Sequence, residues 1–370
     1  MLVYWSILIY TSIMGFFTNM KSIKLKKGLR RENIVPKYLS YLTFFLLIFF
    51  VGMRTNVLDT STYINFFESL PQSIFKINPN NTYGFETGFV VFSILIKQFI
   101  STNPNVWLMI IALISGICVM IPLRKYSLNF GFSAFLFIST TSFSWMVNGM
   151  RQFICVTILF YFTNLILEHK TFKYIILVLL LSTIHTSCII AIPVYFLVQG
   201  KPWDKKNIFL VALVVCALLF TSSFVSVLNQ LLVGTTYEGI TSQFSSDDGV
   251  NLIRVLVNAM PTIIAFIFRK RLEKVDSKII NLCINMSFVS TMLYVIGSAT
   301  SGILVGRLPI YFSLYNLILL PNMIEYLIKP KHRILVYIVC GFLYIIYFYY
   351  QMDIAWNGLI YQSLPLGISV

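Results

Sequence analysis

Charge is scarce in this chain. Asp, Glu, Lys and Arg make up 11% of its 370 residues, against 58% hydrophobic residues and a mean hydropathy of +0.82. An ordinary soluble domain carries roughly twice that charge, so a soluble globular fold is excluded. Acids are scarcer still, 13 against 28 Lys and Arg. There are six cysteines, Cys118, Cys155, Cys188, Cys216, Cys283 and Cys340, and no CxxC pair among them. All lie in or at the ends of apolar runs and read as small core residues rather than a disulfide framework or a metal module. No P-loop and no Gly-rich nucleotide fingerprint occurs, and no soluble segment is long enough to hold a nucleotide domain. No cofactor is expected. No His, Cys or acidic pair has ligand spacing on the outer face assigned below, so no metal is expected either. Short segments of strict alternation are missing, which disfavours a β-barrel.

What is present is a succession of apolar runs along the whole length. A bilayer-crossing helix needs about 20 such residues. The fold class that follows is all-α: one polytopic integral membrane domain, residues 1–370, with about 11–12 transmembrane or half-spanning helices. The net charge of +15 would suit nucleic acid, but most cations fall in short links between apolar runs, where they report orientation instead. Residues 2–19 lack the basic flank and cleavage site of a signal peptide and are read as a retained first span. The cluster Lys21, Lys24, Lys26, Lys27, Arg30 and Arg31 then lies in the cytoplasm and the amino terminus outside. Residues 38–53 cross outward into an external loop, 54–83, and a second loop, 234–250, holds Glu238, Asp247 and Asp248. Residues 84–101 are short and carry Glu86, Lys97 and Gln98. A re-entrant or interfacial helix there keeps every later basic link cytoplasmic. Residues 174–198 read best as a helical hairpin turning near 182–187, and the carboxyl terminus ends outside. On this map 22 of the 28 Lys and Arg residues are cytoplasmic, and the exceptions are Arg54, Lys76, Lys97, Arg151, Arg254 and Arg307.

The chain is organised around residues 143–153, where Asn148-Gly149-Met150-Arg151-Gln152 makes a corner between the runs 130–147 and 153–167. A guanidinium beside hydrocarbon costs a few kcal/mol unless paired, so a retained one points to a polar cavity or an anionic ligand. Arg54, Arg151, Arg254 and Arg307 come from four parts of the chain and share the outer face on this map. Each alone could snorkel to headgroups. Together, against the usual charge bias, they fit bidentate binding of a diphosphate. His185 is the only one of three histidines outside the cytoplasmic links, and a neutral imidazole can take a proton from a sugar hydroxyl. Asp59 and Glu86 are rival bases or sugar-hydroxyl ligands. Asn148, Gln152, Tyr63 and Trp145 are the candidate substrate contacts, the last by stacking on a sugar ring.

At these residues the chain resembles the EpsG-like membrane proteins of exopolysaccharide and capsule clusters, which are similar to Wzy-type polymerases. Gly52-Met53-Arg54 followed by Asp59, Tyr63 and Phe67 matches an early Arg, Gly-x-Asp, Tyr pattern, with Leu58 in the place of the glycine. Glu86-Thr87-Gly88-Phe89 matches Glu-x-Gly-Phe. Residues 148–152 match Asn-Gly-Ile-Arg-Gln, and His185 with Ser187 matches Phe-His-x-Ser, with Ile184 in the aromatic place. Arg307, Tyr311, Phe312 and Pro321 complete the order. The resemblance implies a glycosyltransferase at the outer face of a bacterial plasma membrane, moving a growing glycan from undecaprenyl diphosphate to the next lipid-linked repeat unit. It assigns His185 as base, with Asp59 and Glu86 as alternatives, and Arg151 and Arg307 to the diphosphate, supported by Arg54 and Arg254. It also implies membrane lipids, a flippase and a chain-length regulator as partners. The alternative from another class is a transporter or flippase of lipid-linked sugars, which would call for inverted repeats and charges at the bilayer midplane.

Overall fold

Hydroxyl side chains, more than hydropathy, mark the break in the run 130–147. In the computed structural model, which describes all residues except 28–29, 78–82, 221–225, 228–229, 231–248, 301, 303–304, 357–358 and 369–370, the run 130–147 is not one helix. It is a helix at Phe130–Ser139 (α6), then a 3-10 turn at Ser142–Met146. The break falls on Ser139-Thr140-Thr141-Ser142. Thr140 Oγ1 donates to the Leu136 carbonyl at 2.7 Å and Ser144 Oγ to that of Thr141 at 2.7 Å, giving the backbone partners that compete with a continued helix. Thr141 itself is left-handed, φ +60°. The next helix, α7, is Met150–Tyr161, so Arg151 and Gln152 lie in its first turn rather than in the corner before it. Gly149 at φ +73° is the residue that turns the chain, a conformation a glycine adopts without steric cost.

Two compact units account for the described chain, Met1–Ile192 with Pro321–Val370, and Pro193–Leu320. Among the described residues, four helices are long and apolar enough to cross a membrane: Leu2–Met20 (α1), Pro104–Tyr126 (α5), Lys278–Ala299 and Pro330–Ala355. Leu252–Ile267 and Arg269–Val275, meeting at 69°, make a fifth if counted as one broken span. Six shorter apolar helices among the described residues follow the same hydropathy, including Lys37–Gly52 (α2), Thr87–Phe99 (α4) and Thr171–Ser182 (α8). At 1.5 Å per residue they reach only about 15–25 Å, short of a 30 Å hydrocarbon core. The link after α1 departs from an all-helical reading. Ile23–Lys27 and Arg30–Ile34 pair as an antiparallel hairpin, whose signal is the two-residue alternation Ile23-Lys24-Leu25-Lys26.

In the first unit, α3 (Thr60–Ser69) and α4 pack against α5 through an aromatic core. Phe67 stacks on Trp107 at 4.8 Å and Phe66 on Phe89 at 5.6 Å. The carboxyl-terminal segment returns to the end of α2. Thr55 N donates to the Gln362 carbonyl at 2.9 Å and Tyr361 OH to that of Phe50 at 2.8 Å. Tyr361 also meets Tyr4 of α1 at 6.3 Å, and Tyr4 meets Phe143 of the corner at 5.9 Å. Both chain ends, the Arg54 segment and the corner therefore sit at one end of this unit. The α4 residue Lys97 is 9% exposed and donates to the carbonyls of Phe67, Glu68 and Leu70 at 2.8, 2.9 and 2.7 Å. It closes the carboxyl end of α3, where orphan carbonyls and the helix dipole favour a cation. Lys97→Met is expected to cost about 2–3 kcal/mol, read as a lower midpoint of thermal unfolding in detergent, while Lys97→Arg recovers most of the loss.

Candidate functional site

The first turn of α4 is brought against the end of α8 by one close backbone approach. Gly88 N donates to the Thr183 carbonyl at 2.8 Å, and a Cβ at Gly88 would lie 2.7 Å from that oxygen and 2.1 Å from Thr183 Oγ1. Only glycine allows the contact. On one side of it the residue before α4 is Glu86; on the other, α8 ends at Ser182 and the chain turns through His185 into the 3-10 segment Thr186–Ile190. The docking places the two side chains together. His185 Nδ1 lies 3.1 Å from Glu86 Oε1, and Thr186 N donates to the same oxygen at 3.4 Å. The other carboxylate oxygen accepts from Arg151 Nη1. Arg151 Nε is 3.4 Å from the Tyr63 hydroxyl, and its guanidinium lies 4.3 Å from the Phe85 ring centroid and 6.0 Å from that of Phe89, a cation–π arrangement. Cys155, one turn beyond Arg151, donates to the Leu181 carbonyl at 3.3 Å and holds α7 against α8.

The electrostatics follow from this geometry. The side chains of Glu86, His185 and Arg151 are 10%, 12% and 19% exposed. Burial alone would raise the Glu86 carboxyl, but the hydrogen bond to His185 and the charge of Arg151 outweigh it and hold the group below its usual range. An ionised carboxylate only accepts hydrogen bonds, so in the contact with Glu86 the proton lies on Nδ1 of His185. This is a carboxylate–imidazole pair of the kind that orients a general base.

The other candidates are distributed differently. Arg54 is fully buried, with Nε donating to Thr60 Oγ1 at 3.0 Å, Nη1 to the Val51 carbonyl and Nη2 3.4 Å from Met150 Sδ. Burial pushes its guanidinium down to about 10, still charged at neutral pH. It ties the end of α2 to the starts of α3 and α7. Asp59 precedes α3 and is exposed, with no side-chain cap bond. Leu58 beside it has φ +51°, a conformation that glycine takes more cheaply. Gln152 is buried, and Asn148 and Trp145 are half-buried in the corner. Arg254, in the first turn of Leu252–Ile267, and Arg307, in the turn Val305–Arg307, belong to the second unit. Glu238, Asp247 and Asp248 lie outside the described residues. Among the described residues no group of three or more His, Cys, Asp or Glu could hold a metal ion. Sequence reasoning overlooked Phe85, whose signal was the pair of aromatics flanking Glu86, and the part played by Thr183.

The model of the EpsG family matches residues 37–363, a span that takes in Arg54, Glu86, Arg151 and His185. The chain belongs to the EpsG family. Its relatives there are Wzy-type polymerases, and membership points to an exopolysaccharide-related polymerase of the glycosyltransferase kind. No curated protein and no solved structure matches the chain.

Two substitutions test the local geometry. Gly88→Ala forces apart two backbones and is expected to cost about 1–3 kcal/mol and to abolish activity; adding Thr183→Gly leaves the carbonyl clash and does not restore it. Leu58→Gly relieves the left-handed strain at an exposed side chain. It should raise stability by about 0.5–1 kcal/mol, seen as a higher unfolding midpoint.

Proposed function

We propose that this EpsG-family protein polymerises lipid-linked oligosaccharide repeats into exopolysaccharide or capsule at the outer face of a bacterial plasma membrane. The growing glycan leaves undecaprenyl diphosphate and joins the sugar of the incoming lipid-linked unit. The observation that carries the reading is the single carboxylate of Glu86 held between His185 and Arg151. In the proposed step the acceptor hydroxyl oxygen attacks the anomeric carbon. Its proton passes to Nε2 of His185, and the bond from the anomeric carbon to the diphosphate breaks with its electron pair on the departing oxygen. Glu86 stabilises the imidazolium that forms. With His185 neutral, Glu86 and Arg151 cancel; once His185 is protonated the trio is cationic, as the diphosphate gains charge. Arg151 then contacts the diphosphate. Tyr63, Gln152, Asn148 and Trp145 are the proposed contacts for the sugars, and Asp59 and Glu86 stand as alternative bases. Arg307 and Arg254 belong to the proposal through their opposition to the charge bias. Arg54, fully buried, enters as a positioning residue.

The sidedness rests on the amino-acid pattern, with both termini outside and about 11–12 spanning or half-spanning helices. The ring contacts joining Tyr4, Phe143 and Tyr361 support a shared face for the two chain ends and the corner. Family membership does not favour the transporter alternative.

The test is polymer formation by the purified chain in lipid vesicles with its lipid-linked repeat unit, followed as a glycan ladder. His185→Ala and Glu86→Gln are each expected to lower the rate by about 100-fold or more, and Arg151→Ala to abolish the ladder, all with intact folding. A His185→Ala variant of full activity moves the base to Asp59 or Glu86. Lipid movement between leaflets without polymer from the intact chain would sink the reading.

A further inference from the structure

At the opposite end of the first unit, a second buried carboxylate gathers an excess of cations. Glu325 is 3% exposed. Lys24 Nζ lies 3.3 Å from its Oε1, and Arg31 Nη1 and Arg333 Nη1 lie 3.8 and 2.9 Å from its Oε2. Tyr337 OH donates to Oε1 at 3.2 Å. Arg31 is further fixed by its backbone N–H, which donates to Tyr326 OH at 3.1 Å, and by the Tyr326 ring 5.2 Å from its guanidinium. Beside the carboxylate is a cavity of about 220 Å³ lined by Lys24, Arg31, Arg333, Glu32, Glu325 and Leu128, among others. Two carboxylates face three cations there, so a positive charge is left over. One ammonium and two guanidiniums also carry far more N–H donors than the two oxygens of Glu325 can accept.

The position decides what kind of anion fits. The hairpin carrying Lys24 and Arg31 leaves the end of α1, and Arg333 lies in the first turn of Pro330–Tyr349. Asn322 ties the end of α5 to the same place, accepting from Leu128 N at 2.8 Å and donating to the Tyr126 carbonyl at 3.0 Å. Three span-length helices thus end around the cavity, which puts it at headgroup level whichever way the protein faces. Basic pockets at such a level bind phosphate-bearing headgroups.

We propose that this cavity is a binding site for an anionic phosphate group, held by Lys24, Arg31 and Arg333 over Glu325, with a phospholipid headgroup or free phosphate as its source. The site is distinct from the Glu86 centre and does not depend on the polymerase reading. Lys24 is the handle for a test, because its side chain is 56% exposed and its loss leaves both arginines on Glu325.

The full chain in detergent is titrated with phosphatidylglycerol and, separately, phosphatidylcholine, and bound lipid is counted by native mass spectrometry, with and without inorganic phosphate. Selective retention of phosphatidylglycerol, weakened about fivefold by Lys24→Gln and restored by Lys24→Arg, is the expected result. Lys173→Gln, which removes an exposed cation elsewhere, leaves it unchanged. Resistance to millimolar inorganic phosphate assigns the headgroup as source, and displacement by it assigns free phosphate. The proposal is overturned if phosphatidylglycerol and phosphatidylcholine bind alike and phosphate has no effect, or if Lys24→Gln binds like Lys173→Gln.

Discussion

One carboxylate shared between a guanidinium and an imidazole holds the centre of the first unit together. Glu86, Arg151 and His185 lie on three segments separated by 65 and 34 positions, and none of these segments is a full-length span. In a weakly polar surrounding each partner would be costly alone: an unpaired arginine or glutamate so buried loses its hydration and regains nothing. Joined, the charges cancel and the imidazole takes one defined orientation. The contact in turn demands a backbone approach that only Gly88 permits. Thus a steric fact about one glycine places a carboxylate against a histidine across the helix interface.

The broken helices make this arrangement possible. A continuous helix satisfies its own backbone groups and offers only side chains to a site. A helix that ends inside the protein also exposes backbone N–H groups, as Thr186 does to Glu86. Breaks at membrane depth are tolerated where they are buried in protein. Here the interruptions at Gly149 and Thr183 lie within two residues of Arg151 and His185 along the chain.

Much of this was legible in the residues, and the rest fails for identifiable reasons. The apolar runs marked the membrane class, and the order Arg54, Glu86, Gly88, Arg151, His185 marked the family, because both depend on composition and spacing alone. The break in 130–147 escaped a hydropathy reading because serine and threonine barely lower a window average while strongly competing for backbone carbonyls. The hairpin 23–34 was hidden by its charge: alternating lysines read as a basic link before they read as a strand. Glu86 was legible as an acid but not as the hub, since no spacing along the chain encodes contact between residues about 65 and 100 positions away.

The cations that oppose the charge bias separate into kinds that sequence alone does not distinguish. Arg54 and Lys97 are two of the six cations set apart by the charge pattern, yet each is buried with its donors directed at carbonyls, a hydroxyl or a thioether of the same unit. For them the anomaly is solved by desolvation inside the protein, where a fixed set of oxygens replaces water. Arg151 is solved differently, by a carboxylate whose other oxygen faces His185. Arg151 thus shares its carboxylate with an imidazole, whereas Arg54 and Lys97 rest on fixed oxygens and a thioether. A charge compensated by fixed carbonyls suits only architecture.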